Sequence, residues 1–293
     1  MATDPTTPPV GAPVLRYSLP PVRLPPEDIL FCVDVDVEAR AEMKAAAAAA
    51  SSGSTSSSQP AGGARVGPRP PVRRMDAVKQ AMLLFVHGKL AMCPDHRFAF
   101  AALGETVSMV KKDFSSDASS AIEAIHSISA SESRYATADL TQLFKIAHQE
   151  GRRAELQGRL LRVFIMPWDL DSCNVNISGT HLLSFLYQAT ASLAINIIYL
   201  HDKTGPDNCP QKVYDVLVDA LEHVSQYEGY ILESSQGLAQ VLFRHTCILL
   251  SHPLQRCIQD DIDFPKQVAK KTVAAEASQK EDGTPVSSQL SVV

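Results

Sequence analysis

Three continuous apolar runs, Ile29 to Val33, Leu160 to Met166 and Leu193 to Leu200, constrain this chain more than any other feature. Each has the length of a strand and lacks the polar alternation of a sheet with one wet face. Such a strand is covered on both sides, as in a parallel sheet with helices above and below. Amphipathic helical patterns lie between the runs. Met75, Val78, Met82, Phe85 and Val86 form one apolar face, and Leu140, Leu143, Phe144 and Ala147 another. Val213, Val216, Leu217, Ala220, Leu221 and Val224 form a third, with Asn208 as its cap and Pro210 in its first turn. A last helix carries Leu238, Val241, Leu242, Ile248 and Leu249. It must stop by Ser251 or His252, because Pro253 disfavours a helical conformation in the residue before it.

One interval breaks the alternation. Phe98 to Leu103 and Thr106 to Val110 are strand-like runs joined by Gly104-Glu105, the pattern of a tight hairpin. With a short strand around Tyr230 to Leu232, the order becomes strand, helix, hairpin, helices, strand, helix, strand, helix, strand, helix. The expected fold class is α/β: a doubly wound, mostly parallel sheet with one antiparallel edge strand. Ligands of such sheets sit at the carboxyl ends of the strands, beside the first strand.

These elements fall within residues 28–262, a single domain. Residues 1–27 are a proline-rich flexible lead-in, 41–72 a low-complexity insertion of Ala, Ser, Gly and Pro, and 263–293 a disordered tail. None of the three can bury enough apolar surface to offset its ordering entropy. In and beside the insertion, Lys44, Arg65, Arg69, Arg73 and Arg74 outnumber Glu42, which reads as a solvated linker. A net charge of −5 argues against a broadly basic nucleic-acid binder, so no direct nucleic-acid contact is expected. No apolar run approaches the roughly 20 residues that span a bilayer, so no membrane partner is expected. The first residues lack the charged and apolar regions of a secretion signal. The six cysteines show no Cys-x-x-Cys pair, so reduced thiols are the expectation.

Catalytic motifs are missing. There is no glycine-rich nucleotide loop, no Gly-x-Ser-x-Gly elbow, and no His-x-His or His-x-x-x-His pair. His245, on the apolar face of the last helix, reads as a core histidine with a satisfied hydrogen bond. Trp168, just past a strand, reads as packing. The remaining signal is Asp34, Asp36 and Glu38, alternate carboxylates where the first strand opens into a loop, which could gather a hard cation such as Mg²⁺. Thr137, ahead of a helix, and Asp169, after the strand ending at Met166, supply further oxygens.

Together these five residues resemble the metal-ion-dependent adhesion site of von Willebrand factor A-type domains, and the strand order resembles that fold. The departures are specific. Asp36 and Glu38 stand where the family has serines, and Asp169 sits in Pro-Trp-Asp-Leu. Two extra carboxylates would saturate the ion or, without it, repel one another. The expectation is therefore a degenerate site and no cofactor.

A narrower resemblance lies in Ile29 to Asp36 (ILFCVDVD), in Asp139-Leu140-Thr141-Gln142-Leu143-Phe144, and above all in Leu249-Leu250-Ser251-His252-Pro253-Leu254-Gln255-Arg256. These strings resemble the von Willebrand A-like scaffold subunit of the BRISC deubiquitinase, shared with the breast-cancer-type-1 A complex. The long Ala/Ser insertion is not expected of animal members and points to a divergent lineage such as a plant one. The resemblance implies a non-catalytic scaffold acting in nucleus and cytoplasm, in the DNA-damage response or ubiquitin signalling. Its partners would be a central ubiquitin-conjugating-like subunit and, indirectly, a JAMM-type zinc isopeptidase cleaving non-degradative polyubiquitin chains. This chain lacks the His-x-His ligands of such an isopeptidase. His252, Pro253, Leu254, Gln255 and Arg256 are the expected partner-binding residues, with Leu254 and Arg256 as anchors on an extended segment. Other readings are a metal-dependent A-type module, and a proteasomal ubiquitin receptor, whose Leu-Ala-rich ubiquitin-interacting helices the tail beyond Ile262 lacks.

Overall fold

Strand β1 (Glu27–Asp34) is buried along its whole length, including its two charged leading residues. In this computed structural model the described residues are 24–43, 72–135, 138–168, 175–176, 192–202, 205, 209–224, 227, 229–234 and 239–262. Around β1 they build α1 (Arg74–Met92), β2 (Arg97–Leu103), β3 (Val107–Ser115), α2 (Ala118–Ser127), β4 (Ala138–Asp139), α3 (Thr141–Leu156) and β5 (Leu160–Met166). There follow β6 (Val175–Asn176), β7 (Leu193–Leu200), α4 (Pro210–Val224), β8 (Ile231–Ser234) and α5 (Ala239–Ile248). The main sheet runs β3-β2-β1-β5-β7-β8, parallel throughout except for β3, which returns beside β2. This is the doubly wound sheet with one antiparallel edge that the sequence predicts. β4 and β6 form a separate two-stranded parallel sheet.

The two faces of the sheet have distinct cores. On one, Leu30, Cys32, Val163, Ile165, Ile195 and Ile197 pack with α3 through Leu143, Phe144 and Ala147 and with α4 through Val213, Leu217 and Leu221. Val216, expected on that apolar face, is instead 37% exposed at its margin. On the other face α1 lies between α2 and α5. There Phe31 stacks on Phe164 and Phe100 at 4.9 and 5.8 Å, and Phe85 of α1 meets Phe31 edge-on at 5.5 Å. Aromatic contacts of this geometry add about 0.5–1.5 kcal/mol each to the area they bury. Gly88 lets α1 and α5 approach, since a Cβ there would stand 3.1 Å from the Leu250 side chain.

β3 extends to Ser115, whereas the expectation stops at Val110, where Lys111, Lys112 and Asp113 interrupt the apolar pattern. Charges on an outer strand block pairing with another sheet. At the insertion, Met43 N–H donates to Val72 C=O (2.8 Å) and Arg74 N–H to Ala41 C=O (2.9 Å), and Glu42 bridges Arg73. Residues 41–43 and 72–74 thus lie side by side, with Met43 buried, although 41–43 and 72 were expected to belong to the linker. Residues 44–71, 1–23 and 263–293 lie outside the described residues. Contacts separate Met1–Gln259 from Asp260–Val293, and of the second unit only residues 260–262 are described. Among the described residues no helix is long and apolar enough to cross a membrane.

Candidate functional site at the two ends of the first strand

At its carboxyl end β1 delivers Asp34, 3% exposed, to the switch point of the sheet. Both of its oxygens are taken by main chain: Oδ1 accepts from Asp36 N–H (2.9 Å) and Oδ2 from Trp168 N–H (3.1 Å). The Trp168 indole donates to the Asp34 carbonyl (2.8 Å), which accounts for the burial of the only tryptophan. Asp36 caps the short 3₁₀ helix Val37–Arg40, accepting from Glu38 N–H (3.1 Å), and its second oxygen accepts from Tyr135 N–H (2.7 Å). Glu38 faces the guanidinium groups of Arg74 (3.7 Å) and Arg134 (3.5 Å). Arg74, itself buried, also pairs with Asp202 (3.0 Å) and lies 6.0 Å from the Trp168 ring. Burial pushes the Asp34 carboxyl up to about 6, further than its two main-chain donors pull it down.

The setting of the described carboxylates is a poor one for a Mg²⁺ ion. Each oxygen of Asp34 and Asp36 already accepts one main-chain N–H, and Glu38 is shared between two guanidinium groups. A hard cation would share those oxygens with N–H donors and stand beside the cationic Arg74. Among the described residues no three His, Cys, Asp or Glu side chains are grouped to hold a metal. Thr137 and Asp169 lie outside the described residues. Just ahead of α3, Asp139 accepts the first helical N–H, that of Thr141, through Oδ1 (2.9 Å).

The starting end of β1 holds a second carboxylate of opposite character. Glu27, fully buried, bonds through Oε1 to Lys89 Nζ and through Oε2 to Arg162 Nη1 (3.1 Å), while its N–H donates to His96 Nδ1 (2.9 Å). Burial alone would raise its pKa; the charges of Arg162 and Lys89 outweigh that and hold it below the usual carboxylate range. Burial lowers His96 to about 4, so its ring is neutral and keeps the Nδ1 lone pair that the Glu27 N–H needs. Beside it Asp28 accepts from Arg97 Nε (2.8 Å) and Arg159 Nε (2.7 Å).

This cluster fixes the end of α5. Helix termini leave their last carbonyls unpaired. Here Arg162 donates to the carbonyls of Leu249 and Ser251 (3.2 Å to Ser251), placing a buried cation where the helix dipole is negative. His252, extended at φ −72° and ψ 136° as a residue before proline should be, caps a 3₁₀ turn over Pro253–Gln255 by accepting the Leu254 N–H (3.2 Å). Its Nε2 lies 3.1 Å from the Pro25 carbonyl, so the chain entering β1 and the chain leaving α5 are tied together.

The closing turn differs from its expected form. It is a 3₁₀ turn, not an extended segment, and Arg256 is not a projecting anchor. Its guanidinium lies 4.6 Å from the Tyr230 ring and donates to Asn196 Oδ1 and, at 3.2 Å, to Ser251 Oγ. The physical reason is an available core: Asn196 of β7 and Tyr230, just ahead of β8, meet a planar cation that stacks and forks. Pro253 and His252 are buried as well, whereas Gln255 is exposed and Leu254 is 46% exposed. His245 is buried as expected, but its Nδ1 has no hydrogen bond, and burial lowers its pKa to about 4.

No protein-family model matches the chain, and no curated protein matches it. Solved structures with similar folds include the VWA domain of SpRpn10, at 12% identity over 75% of this chain and 93% of that one, with a TM-score of 0.47. BatB from Bacteroides thetaiotaomicron is 9% identical over 76% of this chain and 97% of its own, with a TM-score of 0.45. An aerotolerance-related membrane protein from Bacteroides fragilis is 10% identical over 76% and 96%, also at 0.45. The fold is von Willebrand A-like. That statement rests on the strand order and the single antiparallel edge, since likenesses this distant add no argument of their own.

The sequence did not expose Glu27, Lys89 or Arg162 as partners. Arg162 sits inside an apolar run, at a place where a charge can only be buried, and that was the available signal.

Proposed function

We propose that the chain is a non-catalytic adaptor: the von Willebrand A-like scaffold subunit of a deubiquitinase assembly that cleaves non-degradative polyubiquitin chains, in nucleus and cytoplasm. The observation that carries this reading is Leu254. The Leu249 to Arg256 string is the most specific part of the resemblance, and nearly every residue in it has a fixed role. Arg162 holds the Leu249 and Ser251 carbonyls, His252 caps the turn, and Arg256 packs on Tyr230. From that rigid base Leu254 and Gln255 stand exposed. A preorganised turn with one uncovered leucine loses little entropy on binding and suits a pocket on a partner. The carboxylates at the far end of β1 act in this reading as folding elements, and no step of chemistry passes through them.

The test is affinity purification of the full chain from native cells followed by mass spectrometry. The wild type should retrieve a ubiquitin-conjugating-like scaffold subunit and, through it, a JAMM-type isopeptidase. Leu254→Ser with Gln255→Glu should lose both, a weakening of about 2 kcal/mol or more, with an unchanged circular dichroism spectrum. Retrieval of neither protein by the wild type would overturn the proposal.

A further inference from the structure

Among the described residues, β8 is an outer strand of the sheet, and its outward edge is closed by a side chain. Ile197 N–H donates to the Tyr230 carbonyl (2.8 Å) and His201 N–H to the Ser234 carbonyl (3.1 Å), so the even-numbered residues of β8 bond to β7. Ile231 and Glu233 therefore turn their main-chain groups away from the sheet. At Ile231 those two groups are covered by one amide: Gln259 Oε1 accepts its N–H (2.7 Å) and Gln259 Nε2 donates to its carbonyl (2.8 Å). These are the two bonds that a neighbouring strand would supply. Gln259 is held in register by the residues before it, through Arg256 on the Tyr230 ring (4.6 Å) and the Tyr230 hydroxyl on the Cys257 carbonyl (2.6 Å).

We propose that Gln259 is an edge guard that keeps β8 from pairing with β8 of a second copy of this chain. The occupant follows from the geometry. Two β8 strands set antiparallel about a two-fold axis at Leu232 bring Ile231 of each copy opposite Glu233 of the other. That pairing makes four hydrogen bonds, and every one of them uses the N–H or the carbonyl of an Ile231. No like charges meet directly, because Glu233 faces isoleucine and Leu232 faces itself. A single amide on each copy thus blocks the whole ladder. Exposed edges are the usual route to such association, and proteins commonly obstruct them.

Sedimentation or light scattering of the full chain over a wide concentration range tests this. The wild type should keep the monomer mass throughout, while Gln259→Ala should rise toward twice that mass at high concentration. Adding Glu233→Pro to Gln259→Ala should restore the monomer. The Glu233 N–H points outward, so proline there removes no bond within the sheet but blocks the inter-copy ladder. A wild type that already dimerises, a Gln259→Ala variant that stays monomeric, or a double variant that still dimerises would each overturn the proposal.

Discussion

The two ends of β1 carry buried carboxylates that the fold treats in opposite ways. At the start, Glu27 is ringed by full charges from α1 and β5 and is held ionised. At the other end, Asp34 is met by main-chain N–H groups alone, and burial pushes its carboxyl up to about 6. The difference teaches that a buried carboxylate takes its character from its donors, full charges at one end and main-chain N–H groups at the other. The starting end uses charge to bind four segments together, namely β1, α1, β5 and the close of α5. The carboxyl end uses an acid to shape a loop.

The largest expected effect lies at Glu27. Glu27→Ala strips Lys89 and Arg162 of their counter-ion in a dry site, and removing one partner of a buried pair costs about 3–5 kcal/mol. The melting temperature should fall by roughly 10 °C, at about 2–4 °C per kcal/mol for a domain of this size. Asp34→Ala leaves two main-chain donors unpaired and should cost about 1–3 kcal/mol. Equal losses at the two positions would erase the distinction between the ends.

The dependence on pH sharpens it. Asp34 has a raised folded pKa, so it contributes most below the unfolded value of 3.8, and that contribution is lost as pH rises to about 6. At about 1.4 kcal/mol per unit, the change is about 3 kcal/mol. The stability gap between wild type and Asp34→Asn, followed by urea unfolding from pH 4 to 7, should narrow by that order as pH rises. Glu27 and His96 run the other way. The contribution of Glu27, depressed in the fold, is present above its usual 4.5 and fades below it. That of neutral His96 is full above 6.5 and fades as pH falls toward 4. A His96→Gln variant should therefore lose the His96 share of the acid sensitivity between pH 6.5 and 4, a window in which His245 also contributes.

Smaller effects separate fixed from free residues in the closing turn. Arg256→Glu breaks contacts to Asn196 and Tyr230 and should cost about 1–3 kcal/mol. Leu254→Ser, on the exposed side, should stay within about 0.5 kcal/mol of the wild type by thermal melting. Smallest of all is removal of residues 44–71 with a short Gly/Ser bridge. Residues 41–43 and 72–74 are already side by side, so the melting temperature should hold within about two degrees. Aggregation of that deletion would show that the segment has a role in folding.

Much of the fold was legible because burial on both faces leaves a nearly continuous apolar run, interrupted only by Arg162 in β5 and Asn196 in β7. β5 and β7 begin and end where Leu160 to Met166 and Leu193 to Leu200 do. The pre-proline restriction at His252 was legible too, since it is a local steric rule. What stayed hidden depended on distant pairing. Glu27 and Asp28 extend β1 beyond its apolar run, and nothing local says that Lys89 and Arg162 will meet them. Arg256 read as an anchor because its core, Tyr230 and Asn196, lies 26 and 60 residues away in the chain. The carboxylates at 34, 36 and 38 were visible as a cluster. Their partners were not, because the main-chain donors on Asp34 and Asp36 leave no mark in a sequence and the guanidinium groups on Glu38 come from distant Arg74 and Arg134.

The central contrast, an acid held by N–H groups at one end of β1 and an anion held by cations at the other, can be measured at once. Carbon-13 NMR titration of the side-chain carboxyls in the full chain, with and without excess Mg²⁺, reads both ends. Asp34 should inflect near 6 in either condition, and Glu27 below the usual carboxylate range. An Asp34 inflection at or below 3.8, or one that Mg²⁺ moves downward, would contradict the assignment of this carboxylate to the fold.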